Sequence, residues 1–354
     1  MTTNAAVVPC RVCGSTEPRE PFEIREMMFG SAEPYPYGLC PTCGSLVIEA
    51  IPDDLARHYP RDYYAFRPVA AVEDVGRRKR WATGILVDRG VFRKRHRRSV
   101  ARLAKALAVP DLKPAQQLAK VARLVSRDDA ILDVGSGSHP DRLVVLRNLG
   151  FRRLLAIDPY VAKSGSHVGV PVRKASIEDV TGRFRLITFH HSLEHVADPV
   201  ATLRCARALI ESDGRLQIRT PVMGTGLWRR YGTDWVEIDA PRHMAVFSVE
   251  GMRRLAAAAG FAIERIGWES AEWEFIASEQ YRLGIALHGP GSQVDDPAIG
   301  RFDEATIDRF RSEARQLNAD GDGGRASFWL RPVHVEPVAE SEPEAASRVG
   351  AATS

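Results

Sequence analysis

The sequence predicts an α/β fold whose parallel sheet is covered on both faces, carried behind a small metal-bound module. Three observations predict it. Short apolar runs alternate with helical stretches between residues 127 and 221, the pattern of strands joined by helical crossovers. A glycine-rich turn, ILDVGSGSHP, follows the first of those runs, and a second run, LLAIDP, ends on an acid. Four of the five cysteines fall as two C-x2-C pairs near the start, a metal-site spacing.

Length and composition set the frame. A chain of 354 residues is long enough for about two domains. Its 44% apolar and 27% charged residues suit a globular protein with a large core. No apolar run reaches the roughly 18 residues of a membrane span. The first residues lack the basic and apolar stretches of a signal peptide. A cytoplasmic protein is expected, and a collagen, a coiled coil, a membrane transporter and a secreted disulfide scaffold are excluded. The net charge of +4 is unevenly placed: Arg77 to Lys105 holds twelve Lys or Arg against the single Asp88. The rest of the chain is therefore mildly acidic.

Four regions follow along the chain. Residues 1–58 hold the cysteine pairs amid Pro and Gly and are expected to form the zinc module. Residues 59–125 open on the aromatic HYPRDYYAF and become helical, with Trp81, Ile85, Phe92, Val100, Leu103 and Leu107 at roughly helical spacing. Residues 126–333 form the main domain. Within it AILDV, LLAID, FRLITF and GRLQIRT read as strands, and Pro140–Leu149 and Val200–Ile210 as helices. Ser248 caps a further helix that ends at Gly260, FAIERIGW and ASFWLRPV close the domain as strands, and residues 269–323 are an insertion. Residues 334–354, rich in Glu, Ala and Ser, are expected to be disordered.

Cys10, Cys13, Cys40 and Cys43 sit in two knuckles, CRVCG and CPTCG. Each knuckle aims two thiolates at one point, and together they complete a tetrahedral zinc site. Four thiolates leave no open position, so the zinc is expected to be structural. Cys205 reads as a small core residue, not a fifth ligand.

In the glycine turn, Gly135 and Gly137 allow a ligand close to the backbone, and the helix that follows offers unpaired N–H groups. Asp158, about 20 residues on, can accept hydrogen bonds from both hydroxyls of a ribose. The third glycine of the dinucleotide fingerprint is absent. With the stretches that follow, FHHSLEHVADP (189–199), GRLQIRTP (214–221) and DAPRHMAVFSVEGMRRLAAAAGF (239–261), the region resembles class I S-adenosylmethionine (SAM)-dependent methyltransferases. The resemblance covers about 130–267 plus the last strand. The cysteine front end is similar to zinc-bearing bacterial members that methylate nucleotide-linked sugars or natural-product precursors. It implies a Rossmann-like sheet of seven strands with the last one antiparallel.

The resemblance also implies site residues. Asp133, Gly135, Ser136 and Gly137 would form the SAM loop, with Asp158 and Pro159 at the ribose. Ile177 and Glu178 would lie at the adenine, and His190 would make backbone contact with the cofactor. His139 replaces a glycine that many members carry. Methyl transfer to a hydroxyl or carbon needs a general base, and histidine suits that role near neutral pH. His191 and His243 are the candidates, oriented by Glu194 or Asp239, whereas His195 reads as a loop-fixing residue. Tyr59, Tyr63, Tyr64, Phe66, Trp228, Tyr231, Trp235, Trp273, Phe275 and Tyr281 either cap a pocket or, in larger part, pack one region on another.

The expected activity is SAM-dependent methylation of a small molecule, on a hydroxyl or carbon of a sugar or natural-product intermediate. Two rivals stand beside it. One is an RNA methyltransferase gripping its substrate through residues 77–105; the other is a non-catalytic SAM-fold protein that binds a partner. The bland reading of the basic segment is a helix whose charges are solvated or paired with the acidic remainder. Neither the acceptor nor the oligomeric state is legible.

Overall fold

The structure is a computed structural model, and it describes residues 8–60, 72–93 and 113–333. Tyr63, Tyr64, Phe66, Val100, Leu103, Leu107 and the tail from residue 334 lie outside the described residues.

The front of the chain is a β-meander. Glu20–Arg25 (β1) pairs antiparallel with Pro34–Leu39 (β2), which pairs with Leu46–Ile48 (β3). The two cysteine knuckles precede β1 and β3. In each, a glycine takes positive φ, Gly14 at 75° and Gly44 at 66°. Its N–H donates back to the first cysteine of the knuckle, Cys10 or Cys40. Only glycine enters that backbone region without strain.

Arg77–Val87 (α1) and Lys113–Val121 (α2) follow. In α1, Leu86 and Val87 are buried, but Trp81 is 72% exposed. Although its spacing fits the helical repeat, Trp81 lies outside the buried face of the helix, which carries Thr83, Leu86 and Val87.

The main sheet begins with Ile131–Val134 (β4), then Asp141–Asn148 (α3), Leu154–Ile157 (β5), the short Gly165–His167 (β6) and Val170–Arg173 (β7). Phe184–His190 (β8), Pro199–Leu209 (α4) and the fourteen-residue Ile210–Met223 (β9) continue it. Asp198 starts α4 by accepting from the Ala201 N–H, with Pro199 in its first turn, where a missing N–H costs nothing. Gly226–Tyr231 (α5), Ala245–Ser248 (β10) and Val249–Ala258 (α6) come next. Ser248 caps α6 by accepting from the Gly251 N–H at 2.8 Å, as the sequence predicts. Phe261–Trp268 (β11), Glu272–Arg282 (α7), Glu304–Asp320 (α8) and Arg325–Pro332 (β12) complete the chain. The insertion thus consists mainly of two helices, α7 and α8, packed through Phe275 and Phe310 with ring centroids 5.2 Å apart.

Seven strands run in the order β7-β5-β4-β8-β9-β12-β11, and β12 is antiparallel to β9. This is the expected seven-stranded sheet with an antiparallel last strand. The meander strands, β6 and β10 were not foreseen, and β10 matters most for the architecture. β10 pairs parallel with the end of β9 and antiparallel with β3. The cysteine-bearing meander therefore extends the main sheet instead of hanging from a linker, and Cys10, Cys40, Cys43 and Val47 share a core with Phe189 and Phe247. Among the described residues no helix is long and apolar enough to cross a membrane.

Candidate active site

At the carboxyl ends of β4, β5 and β8 lies a cavity of about 300 Å³. Gly135, Asp158, Pro159, Ile177 and Glu178 line one side, and His191, His195 and Met244 the other, with Tyr59 and Tyr160 at its edge. In an α/β sheet this is where ligands bind. Gly135 has φ of 73°, and a Cβ there would sit 2.4 Å from the Ser192 Cβ. The glycine loop is thus pressed against the loop after β8, and no larger residue fits.

Asp158 is buried. Its Oδ2 accepts from the Gly137 N–H at 3.0 Å and its Oδ1 from the Tyr160 N–H at 2.8 Å. Burial raises its pKa, while these backbone donors hold it down. Each oxygen keeps a further lone pair. Asp133 lies beneath the loop: it takes the Thr188 hydroxyl at 2.6 Å, and burial pushes its pKa up to about 6. Asp133, Ser136, Gly137 and His190 do not line the cavity, and His190 Nδ1 is buried without a hydrogen bond.

The histidines converge. His191 adopts φ of 49°, held there by its N–H donating to the Arg219 carbonyl at 2.8 Å. A non-glycine residue in the left-handed region is costly and often marks a functional position. Its Nδ1 stands 3.3 Å from Glu194 Oε1. Burial lowers the His191 pKa, so the ring is neutral near pH 7. Burial alone would raise the Glu194 pKa, but the facing imidazoles of His191, His243 and His195 outweigh it and bring it to about 2. Glu194 is therefore an anion with no solvent exposure. His195 reaches the cavity, and its ring packs edge-on against His243 with centroids 4.6 Å apart. Burial and its neighbour His243 depress the His195 pKa to about 4. His243 itself is buried behind His195 and does not line the cavity.

The loop that carries His243 is anchored by a buried ion cluster that the sequence did not reveal. Arg242 donates to both oxygens of Asp239, to Glu26 Oε1 at 2.9 Å and to the His58 carbonyl. Tyr37 donates its hydroxyl to the His243 carbonyl at 2.8 Å, and the Ile48 N–H to that of Met244. The meander thus backs this wall of the cavity. Asp239 is bound chiefly to Arg242, and its Oδ2 lies 3.8 Å from His243 Nε2.

The four knuckle thiols lie together. Cys10 and Cys43 sulfurs are 3.9 Å apart, and those of Cys13 and Cys40 3.7 Å. A tetrahedron with Zn–S bonds of about 2.3 Å has edges of about 3.8 Å. The cluster fits zinc. Cys205 lies apart, partly buried against the core.

A larger groove of about 1220 Å³ runs beside α1, lined by Arg77, Arg80, Trp81 and Arg147 among others. Some of its charges are paired: Arg80 and Arg147 share Asp74, Arg127 meets Asp88, and Arg152 meets Asp128. The aromatic candidates mostly pack. Trp235, Phe275, Tyr231 and Tyr281 are buried in one core, Trp228 meets Phe22 edge-on, and Arg325 lies over Trp273.

Residues 92–266 match the model of a family described as a methyltransferase domain. This stretch is a methyltransferase domain. No curated protein matches the chain in sequence. Among solved structures, the chain is similar to the O-methyltransferase of a trans-AT polyketide synthase multienzyme of Brevibacillus brevis, in complex with S-adenosyl-L-homocysteine. That pair has 13% identity over 62% of this chain and 71% of the other, with a TM-score of 0.38. Geranyl diphosphate methyltransferase, in complex with SAM, shares 16% identity over 66% and 90%, with a TM-score of 0.41. Mycolic acid cyclopropane synthase shares 17% over 63% and 85%, with a TM-score of 0.37.

Proposed function

We propose that the cavity binds SAM and that the methyl group passes to a hydroxyl or carbon of a small acceptor, a sugar or natural-product intermediate, with His191 as general base. The observation that carries this reading is one cavity that joins the glycine loop and Asp158 to the His191–Glu194 pair. When bound, SAM supplies a methyl group already activated on a sulfonium. Asp158 would accept from the ribose hydroxyls, Ile177 would pack on the adenine, and Glu178 would take its amino hydrogens. Asp133, Ser136 and Gly137 would shape the loop from beneath, with the peptide of His190 beside it and Pro159 directing Asp158.

Glu194 faces His191 Nδ1. A proton held on that nitrogen leaves the Nε2 lone pair free to take the acceptor's proton as the new bond to the methyl group forms. Tyr59 and the meander close the site against water, which strengthens these polar contacts. A small acceptor is favoured over RNA by the cavity's size.

The test is formation of S-adenosylhomocysteine from SAM across a panel of nucleotide-linked sugars and hydroxylated precursors. His191→Ala is expected to lower kcat by about 10²–10⁴-fold while the Kd for SAM stays within about threefold. Unchanged kcat would remove His191 as the base.

Zinc at Cys10, Cys13, Cys40 and Cys43 is proposed as structural. Metal analysis should find that Cys40→Ser carries one equivalent of zinc fewer than the unmodified protein, with a lower Tm. Binding at such sites contributes on the order of 10 kcal/mol to folding in small zinc modules. Equal metal content in the two proteins would overturn it.

A further inference from the structure

Behind the cavity wall stands a second group of metal-ligating side chains that the methyl-transfer scheme leaves mostly unused. Glu194, His195 and His243 each offer one ligand atom, all within 4.8 Å of one another. Hydrogen bonding fixes both rings in the same tautomer. His243 Nδ1 lies 2.8 Å from the Glu237 carbonyl, and His195 Nδ1 lies 3.0 Å from the Arg242 carbonyl and 3.1 Å from the Tyr59 hydroxyl, whose oxygen can share the same proton. A carbonyl can only accept, so each Nδ1 carries the proton and each Nε2 is left with a bare lone pair. Metal-binding histidines are commonly held in this way, with the second nitrogen donating to a backbone carbonyl.

Glu194 supplies the charge. Its side chain is fully buried. His191 Nδ1 stands 3.3 Å from Oε1, and Oε2 has no partner among the described residues. A buried carboxylate oxygen left without a partner is costly unless a cation or donor meets it. Arg242, the buried cation nearby, is already bound to Asp239 and Glu26. Two imidazole nitrogens and a carboxylate are a ligand set for zinc or ferrous iron with open positions.

We propose that Glu194, His195 Nε2 and His243 Nε2 bind a divalent transition-metal ion whose open side faces the cavity and takes an oxygen of the acceptor. His195 and Met244 line the cavity, so the open side meets the acceptor and not bulk solvent. Donors on one cation stand closer together than 4.8 Å, so the three side chains would draw in around a bound ion. The bound ion acts as a Lewis acid on an acceptor hydroxyl. The hydroxyl proton leaves to His191, the O–CH3 bond forms, and the electron pair of the broken S–CH3 bond stays on sulfur. Glu194 then serves both neighbours, one oxygen toward His191 and the other on the metal.

The test is a metal count on the full chain. Protein loaded with Zn2+ and freed of loosely held metal by gel filtration is expected to hold two equivalents. His195→Asn and His243→Ala are each expected to hold one. Loading with Co2+ separates the sites: thiolate charge-transfer bands from the cysteine site should persist in both variants, while the weaker d–d bands of the nitrogen and oxygen site vanish. Circular dichroism checks folding, and Glu194→Gln provides a variant of nearly unchanged volume. One equivalent in the unmodified protein, or two in all three variants, overturns the proposal. Only the acceptor end rests on the cofactor reading of the cavity. Calorimetry with SAM on the same samples reports that reading separately.

Discussion

Asp158→Ala is expected to weaken SAM binding by about two orders of magnitude or more in calorimetry. Hydrogen bonds to an ionised group are each worth about 1.5–3 kcal/mol, and a ribose would make two of them to this carboxylate. The loss goes further, because the same oxygens order the protein. They accept the N–H groups of Gly137 and Tyr160, so truncation also releases the glycine loop and the residue beside Tyr59. Asp158→Asn separates the two contributions. It keeps one acceptor oxygen but places a donor where a backbone N–H now points, and its affinity should fall between the other two proteins. Binding of SAM to Asp158→Ala with unchanged Kd would remove this cavity as the cofactor site, and with it the proposed roles of Ile177 and Glu178.

The parts of this site that the sequence announced are those built from local rules. A strand, a glycine turn and an acid about 20 residues later must meet at one edge of a parallel sheet, and Gly135 and Asp158 do. Ser248 signalled a helix start because capping depends on residues three apart. The C-x2-C knuckles met because each is a self-contained turn. What stayed hidden depends on distance along the chain. β10 is four residues, all of them buried, so it shows no alternation to mark it as a strand. Of its partners, β9 comes shortly before it in sequence, but β3 lies near the start of the chain. Glu26 and Arg242 are 216 residues apart, and no periodicity relates them. Trp81 fitted a helical repeat, but the buried stripe of α1 is set by the sheet beneath it, and the tryptophan falls outside that stripe.

The continuous sheet changes what the cysteine module is for. A module on a flexible linker could deliver a partner. Here Ser248 donates its hydroxyl to the Cys43 carbonyl while capping α6, and its N–H donates to Ser45. A Cβ on Gly251 would lie 2.1 Å from the Ser45 hydroxyl oxygen. Arg11, inside the first knuckle, reaches the Ala197 carbonyl in the loop between His195 and α4. The knuckles therefore grip both the start of α6 and the loop after β8, the two segments between which the histidines lie.

Arg242→Met should be the most destabilising single change away from the metal ligands, by about 3–5 kcal/mol. Arg242 has no exposed side-chain surface, and neither Asp239 nor Glu26 is more than slightly exposed. Removing the guanidinium leaves two carboxylates in the interior facing no counter-charge. Glu26 keeps its bonds from the Phe29 and Ser31 N–H groups, whereas Asp239, at φ of 43°, loses the partner that holds its turn. Thermal unfolding should fall by about 6–10 °C, at roughly 2 °C per kcal/mol for a chain of this size. The charge origin of the effect has its own signature. Adding Glu26→Gln and Asp239→Asn to Arg242→Met should recover part of the lost stability, because close partners are not additive. Zinc at the cysteines should remain through the series, since no cysteine touches this cluster. A Tm unchanged in the single variant would mean that the three groups are hydrated, and that the meander does not hold the His243 loop through them.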